Sequence, residues 1–290
     1  MREARIIAIG DNVVDKYLSR GKMYPGGQCV NTSVYAKMNG ARTAYLGKFG
    51  DDAAARHNCQ VLTGLGVDFS HSRQFHGENG AARVTLRGSD RVFLGSNKGG
   101  VSKEHPYDFT GEDLDYIRGF DLIYTNTNSY ILGDLPLLYE TGVPIAFDFS
   151  AKWDDAMLEQ ICPYVTVALL SCSHMTQEER ENEMKKAALY GVKIVVGTVG
   201  ENGSYVLSEG EFLYENVCWT DDAFDTMGAG DAYFSAFLTD LLKGDKGLNE
   251  PDPEEWKRRL QKAMRCGAEF SAKICCVEGA FGHGTAIVDG

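Results

Sequence analysis

DTMGAGDAYFSAF, residues 225–237, places two glycines and a carboxylate directly before an apolar run. The run continues as YFSAFLTDLL (residues 233–242), apolar nearly all round, as in a helix buried in a large core. At its start, Gly228 and Gly230 let the backbone turn so that successive amide N–H groups point one way. The helix adds its positive N-terminal end. Such a cradle favours a phosphate or a developing phosphoryl transition state. Asp231 sits at the mouth of the helix, where it can take a proton from an attacking hydroxyl. Asp is also a favoured helix cap, so the segment alone supports either a catalytic base or an ordinary turn.

Outward from this segment, strand and helix patterns alternate. ARIIAIG reads as a first buried strand ending at Gly10. GGQCVNTSVYAKMNG reads as a helix closed by Asn39 and Gly40. TAYLGKFG is a short strand, and residues 52–65 are helical, ending near Gly64. DLIYTN, PIAFDFS, VTVALLS and KIVVGTVG are further strands, with TQEERENEMKKAALYG a polar-faced helix between two of them. PEEWKRRLQKAMRCGAEFSAKIC is a last long helix. This alternation is that of an α/β fold, a central, mostly parallel sheet with helices on both faces. The 290 residues suit one large α/β domain or two small ones. With no internal repeat or low-complexity linker, residues 1–290 are read as a single domain.

Residues 81–95, AARVTLRGSDRVFLG, break the pattern. Val84 and Leu86, then Val92 and Leu94, alternate with polar residues around Gly88 and Ser89, which signals a hairpin. With a strand over residues 16–24 it makes a small second sheet, a lid over the strand ends where ligands of such folds bind. Exposed edges of so small a sheet invite pairing, so a homodimer formed through the lid is expected.

Composition narrows the functions. Hydrophobic residues make up 43% and charged residues 24%, as in a globular protein with a real core. No apolar run approaches the roughly 20 residues that span a membrane. MREARIIAIG enters a strand pattern at once, so a cytoplasmic location and no membrane partner are the expectations. The eight cysteines show no paired CxxC spacing, which speaks for free thiols and against a zinc cluster. A formal net charge of −12 disfavours nucleic acid, although local backbone dipoles still hold a small anion.

Two more stretches carry chemistry. GDNVVD puts Asp11, Asn12 and Asp15 at the carboxyl end of the first strand, where α/β folds open their ligand crevice. YPGGQCVN follows. Gly26 and Gly27 allow a ligand to approach the backbone, and Asn31 lies just inside the next helix. Carboxylates and an amide around a flexible turn suit a polyhydroxyl ligand, which needs both donors and acceptors. The plainer reading of Asp11 and Asp15 is solvated loop. VGENGSYVL offers Gly200 and Gly203 for close passage of a nucleotide phosphate, or simply a hairpin. A dinucleotide-binding oxidoreductase would carry GxGxxG after the first strand, and GDNVVD is not that. A non-catalytic sugar or nucleotide sensor has no need of a base at Asp231.

Together these stretches resemble the ribokinase-like (PfkB) family of carbohydrate kinases, from Ile9 to about Gly282. GGQCVNTSVYAKMNGARTAYLGKFGDD is similar to the family's N-terminal signature, and DTMGAGDAYFSAF to its C-terminal one. The resemblance implies the ribokinase-like fold and an ATP-dependent kinase using Mg²⁺. It makes Asp231 the base that deprotonates the sugar hydroxyl. It places Thr226, Gly228, Ala229 and Gly230 in an anion hole. Asp15, Gly27 and Asn31 hold the sugar, with Asp11 and Gly26 as neighbours. Thr198, Gly200 and Gly203 line the ATP site. CVEGAFGHG, with Gly279 and Ala280, falls where the family closes round the adenine and binds a monovalent cation, K⁺.

Within the family, IGDNVVDKY, SDRVF, AFDFSAKWD, ENGS and DTMGAGD are closest to a branch that phosphorylates fructosamines such as fructoselysine at the 6-hydroxyl. Fructokinase and other sugar kinases share the same signatures. Fructoselysine bears a carboxylate, and Arg83, Arg87 and Arg91 of the hairpin are placed to read one, Arg91 foremost. There are two departures. The family's Asn-x-x-Glu, which serves Mg²⁺ and its waters, is replaced here by LLSCSHMTQEE, where no Asn stands and Glu178 has the wrong offset; the metal contacts are therefore unassigned. The Asp-Pro-Asn-x-Arg of fructokinase-like members becomes DFSAK, with Lys152 in place of Arg. A lysine there neutralises phosphate as a point charge or is simply a solvated surface residue.

Overall fold

A computed structural model describes residues 2–87 and 90–288. The chain begins with β1 (Arg5–Gly10), then leaves for a hairpin of β2 (Val13–Tyr17) and β3 (Lys22–Gly26). It returns through α1 (Gln28–Met38), β4 (Arg42–Phe49), α2 (Ala53–Leu65) and β5 (Arg73–Gln74). A second excursion forms β6 (Gly80–Arg87) and β7 (Asp90–Ser96). Alternation then resumes with α3 (Val101–Glu104), α4 (Gly111–Ile117), β8 (Leu122–Asn126), α5 (Leu135–Tyr139), β9 (Ile145–Asp148) and α6 (Asp155–Ile161). β10 (Val167–Ser171), α7 (Gln177–Leu189), β11 (Ile194–Thr198), β12 (Ser204–Ser208) and β13 (Glu211–Glu215) follow. The chain closes with α8 (Ala229–Leu242), α9 (Pro253–Ile274) and β14 (Thr285–Ala286).

The large sheet has nine strands in the order β13-β12-β11-β10-β9-β8-β1-β4-β5. From β11 to β5 every pairing is parallel, and β12 and β13 extend one edge antiparallel. Parallel neighbours need crossovers, and helices supply them. The period of two in RIIAIG then builds two cores at once. Ile6 and Ala8 join a cluster with Val34, Leu62, Phe237 and Leu260 from α1, α2, α8 and α9. Ile7 and Ile9 join another with Leu138, Leu158 and Met184 from α5, α6 and α7. The sheet is therefore covered on both faces, as the sequence pattern predicts.

The two excursions meet in a second sheet, in the order β14-β3-β2-β6-β7. β2 pairs antiparallel with β3 and parallel with β6. Val14 and Met23 pack with Ala54 of α2, so this sheet has only a small core of its own. The stretch read as one strand over residues 16–24 is two strands, turned at a Gly21 with φ 61°. α2 passes through Gly64 and ends at Gly66, which takes the left-handed cap at φ 65°. β14 had no signal strong enough to be read. The hairpin turn at Gly88 and Ser89 lies outside the described residues. Among the described residues no helix is long and apolar enough to cross a membrane.

Candidate active site

A cleft of about 470 Å³ opens at the carboxyl ends of β1, β9 and β10, between the starts of α1 and α8 and beneath the small sheet. That is the end of an open α/β sheet where ligands bind. A larger cavity of about 900 Å³ lies at the opposite end of the strands, against Thr166, Ile194, Ser208 and Trp256. None of the motif residues reaches it, and the chemistry belongs to the smaller one.

The start of α8 forms one wall, with Thr226, Gly228, Ala229, Gly230 and Asp231 all on the cleft. Gly228 is the N-cap at φ 71°, and a Cβ there would fall 2.6 Å from the Tyr35 hydroxyl. Gly230 differs: no atom lies within 4 Å of where its Cβ would stand, so open cleft rather than packing faces it. The first-turn amides of a helix have no intrahelical partner, and here they begin at the cleft wall. Asp231 is the third residue of α8 and does not cap it. Its Oδ2 accepts a hydrogen bond from Asn31 Nδ2 at 2.6 Å. Asn31 Oδ1 is buried on the cleft and has no hydrogen-bond partner among the described residues. An orphaned buried acceptor is costly unless a ligand donor meets it.

Asp225 fixes this wall. Its Oδ1 accepts from the amide of Met227, and its Oδ2 from the Tyr17 hydroxyl of β2 at 2.7 Å and from the amide of Gly279 at 3.2 Å. One carboxylate thus ties the helix start to the small sheet and to the C-terminal loop. Gly279 (φ 65°) packs against the Tyr24 ring, and the Ala280 carbonyl accepts from Tyr35.

The opposite wall comes from the first strand's end. Asp11 caps α1 from outside the helix: its carboxylate accepts from the amides of Gln28 and Cys29 at 2.9 and 3.0 Å and from Asn126 Nδ2 at 2.7 Å. The helix's own N-cap is Gly27, at φ 97°, which has no side chain to offer. Gly26 makes room for Asp15, since a Cβ would stand 2.4 Å from its Oδ2. Asp15 is buried on the cleft.

Asp148, the last residue of β9, is a site residue that the sequence reading missed. It is 2% exposed and lines the same cleft. Gln28 Nε2 donates to it at 2.8 Å and the Ser150 amide at 2.6 Å. Burial pushes its carboxyl up to about 8, and the charge of Asp231 adds to the rise. Its signal was the one that marked Asp11, an acid at the carboxyl end of a buried strand. Four carboxylates therefore face the cleft, with Lys98 the only cation among its described lining residues.

Other expected residues lie apart. Thr198 ends β11 and pairs in register with Ser171, which lines the cleft, so Thr198 and Gly200 (φ 56°) stand beside it rather than in it. Gly203 answers a demand of the chain itself: a Cβ would meet the Glu215 carbonyl at 2.2 Å. Lys152 is exposed, two residues past the lining Ser150. Arg83 lines a separate cavity with Asp51, Asp52 and Lys16, away from the cleft. The backbone of Arg91 is in β7, but its side chain, like that of Arg87, lies outside the described residues. In place of an Asn-x-x-Glu, Glu179 closes a capping box with Thr176 at the start of α7. Among the described residues no group of three or more His, Cys, Asp or Glu could hold a metal ion.

Comparison with known proteins agrees with this architecture. The sequence profile described as pfkB family carbohydrate kinase matches residues 4–282. Fructosamine kinase FrlD of Bacillus subtilis (strain 168) is 40% identical over 281 residues, covering 97% of this chain and 94% of that protein. Fructoselysine 6-kinase of Shigella flexneri is 32% identical over 276 residues, covering 95% and 99%. Among solved structures, Arabidopsis thaliana ribokinase complexed with ribose and ATP matches with a TM-score of 0.76 at 20% identity, over 97% of this chain and 95% of that one. Ribokinase from Giardia lamblia matches at 0.81 and 15% identity, over 96% and 94%. These two establish the ribokinase-like fold, and the profile match over nearly the whole length establishes that the chain belongs to the pfkB family of carbohydrate kinases, as an ATP-dependent sugar kinase.

Proposed function

We propose that the protein transfers the γ-phosphoryl of ATP to the 6-hydroxyl of a fructosamine such as fructoselysine. The observation that carries this reading is the charge of the cleft. Asp11, Asp15 and Asp231 line it against one described cation, beside Asp148, whose carboxyl burial pushes up to about 8. These carboxylates serve the hydroxyls of any sugar, and a fructosamine carries in addition a protonated secondary amine that an acidic cleft attracts. The similarity to a fructosamine kinase and a fructoselysine 6-kinase points the same way.

In this reading the sugar lies between Asp15, Gly27 and Asn31, and a sugar hydroxyl donates to the orphaned Asn31 Oδ1. Asp11 and Gly26 shape this wall from behind. The 6-hydroxyl oxygen bonds to the γ-phosphorus as the bond to the β,γ-bridging oxygen breaks. ADP leaves, and the hydroxyl proton passes to the Asp231 carboxylate. Thr226 and the amides of Gly228, Ala229 and Gly230 meet the charge that develops on the phosphoryl oxygens. Asn31 holds Asp231 in place through its 2.6 Å bond. Thr198, Gly200 and Gly203 take the nucleotide beside the cleft, with Lys152 outside it and Gly279 and Ala280 towards the adenine. Magnesium, carried with the nucleotide, neutralises phosphate charge. K⁺ activation is part of the proposal, acting on the loop of Gly279 and Ala280 that Asp225 ties to the anion hole. So is a homodimer formed through the small sheet.

The test is a panel of fructoselysine, other fructosamines, fructose and ribose, assayed for ATP consumption, with NMR to locate the phosphate on the product. Turnover of fructosamines well above fructose, at the 6-position, is the expected result. A preference for free fructose would replace this reading with fructokinase.

A further inference from the structure

We propose that Lys98, framed by Tyr130 and Phe93 at the mouth of the cleft, binds the carboxylate of the amino-acid part of a glycated amine and so selects among fructosamines. The inference rests on the function proposed above and names the residue that reads the far end of that substrate.

The first observation is where charge lies. Asp15 and Asp231 are buried in the cleft, whereas Lys98 is exposed at its rim. No carboxylate among the described residues pairs with the Lys98 ammonium. A ligand with an ammonium near its sugar and a carboxylate farther out matches this order of charges, negative inside and positive at the mouth.

The second observation is how the chain holds Lys98. Among the described residues five that are not glycine have positive φ, and Lys98 (57°), Tyr130 (53°) and Ser150 (58°) all line this cleft. Left-handed backbone is unfavourable at such a residue and gathers where the surrounding structure over-determines it. Lys98 and Tyr130 are held against each other. The Tyr130 hydroxyl donates to the Lys98 carbonyl, the Lys98 amide donates to Ser96 Oγ, and a Cβ on Gly99 would fall 2.9 Å from the Tyr130 ring. The lysine backbone is thereby fixed at the mouth while its ammonium stays in solvent.

The third observation is the surface beside it. Phe93 is 59% exposed and Tyr130 43% exposed, and both face the cleft. Aromatic faces there give the methylenes of a lysyl side chain apolar contact between sugar and carboxylate. Of the hairpin arginines read as carboxylate partners, Arg83 lines the other cavity, and the side chains of Arg87 and Arg91 lie outside the described residues.

The test compares kcat/KM for fructoselysine with that for the fructosyl adduct of cadaverine, which has the same chain and amines but no carboxylate. Wild type favours fructoselysine. Lys98→Met keeps the aliphatic length and removes the charge, and it is expected to cut that preference by up to about fivefold, the upper range of an exposed ion pair. Lys98→Arg restores it. Using a ratio cancels any general loss from misfolding. A Met variant with the wild-type ratio, or a wild type indifferent to the carboxylate while still phosphorylating both adducts, overturns the role of Lys98 alone. No turnover of either adduct overturns this inference and the proposed function together.

Discussion

Asp231 is the third residue of α8, and its Oδ2 is held by Asn31, so its replacement tests basicity without removing a cap. Asp231→Asn is expected to lower kcat by about 100-fold or more while leaving ATP affinity and melting temperature near wild type. Near-normal turnover would remove the base from the mechanism. Asp148 makes a different prediction. Its carboxyl rises from an ordinary 3.8 to about 8 on folding, chiefly through burial. Between those two values the native state binds more protons than the unfolded one, so this group makes the ligand-free protein less stable as pH rises through that window. Asp148→Asn should flatten the fall in melting temperature between about pH 5 and pH 8. An unchanged slope in the variant would show that the fold tolerates the ionised carboxylate. The glycine-rich helix start made Asp231 legible in sequence. The structural work of Asp11 was not, because its partners include the side chain of Asn126, brought near only by the pairing of β1 with β8.

The small sheet is the element on which the proposed substrate contact and the proposed dimer meet. Its hairpin was legible because period-two alternation is a local signal, and its place over the strand ends follows from the two excursions that leave and rejoin the large sheet. Its register was not legible: β2 pairs with β6 across more than sixty intervening residues, and β14 arrives from the C-terminus. β7 is an edge strand carrying two exposed apolar neighbours, Phe93 and Leu94, at a register shift that leaves Leu94 without a partner on β6. Phe93 faces the cleft, whereas Leu94 does not line it. An edge with such a residue is a pairing surface. Sedimentation velocity should therefore show a dimer at micromolar concentration, and Leu94→Arg should shift it towards monomer. A wild type that stays monomeric there would remove the dimer from the proposal.

At the scale of the molecule the question is what couples the two sheets. Sequence periodicity gave the parallel core, because each strand and helix there carries its own pattern. Tyr17, Tyr24 and Val84 of the small sheet join the large core, and beside them single polar side chains couple the sheets; a polar residue in a loop looks the same whether it faces a ligand or a buried partner. Asn12 is the case in point. It stands beside Asp11 in GDNVVD, reads as part of the ligand crevice and does line the cleft, but it is fully buried and makes four hydrogen bonds within the protein. Its Nδ2 donates to the Lys48 carbonyl and the Tyr45 hydroxyl, and its Oδ1 accepts from Asn58 and Asn79. One amide so joins the β1–β2 junction to β4, to α2 and to the entry of β6. Asn12→Ala leaves the amides of Asn58 and Asn79 and a backbone carbonyl without this partner, and each buried group so stranded costs about 1–3 kcal/mol. The expected loss is about 2–4 kcal/mol in chemical denaturation, large against a typical stability of about 5–15 kcal/mol. The KM for the sugar should rise as well, since β2 carries Asp15 into the cleft from the same junction. Asn79→Ala removes one of those donors, so combining the two substitutions should cost less than the sum of the single losses. Strict additivity, or a loss below about 0.5 kcal/mol for Asn12→Ala, would show that the two sheets are held by their apolar contacts alone.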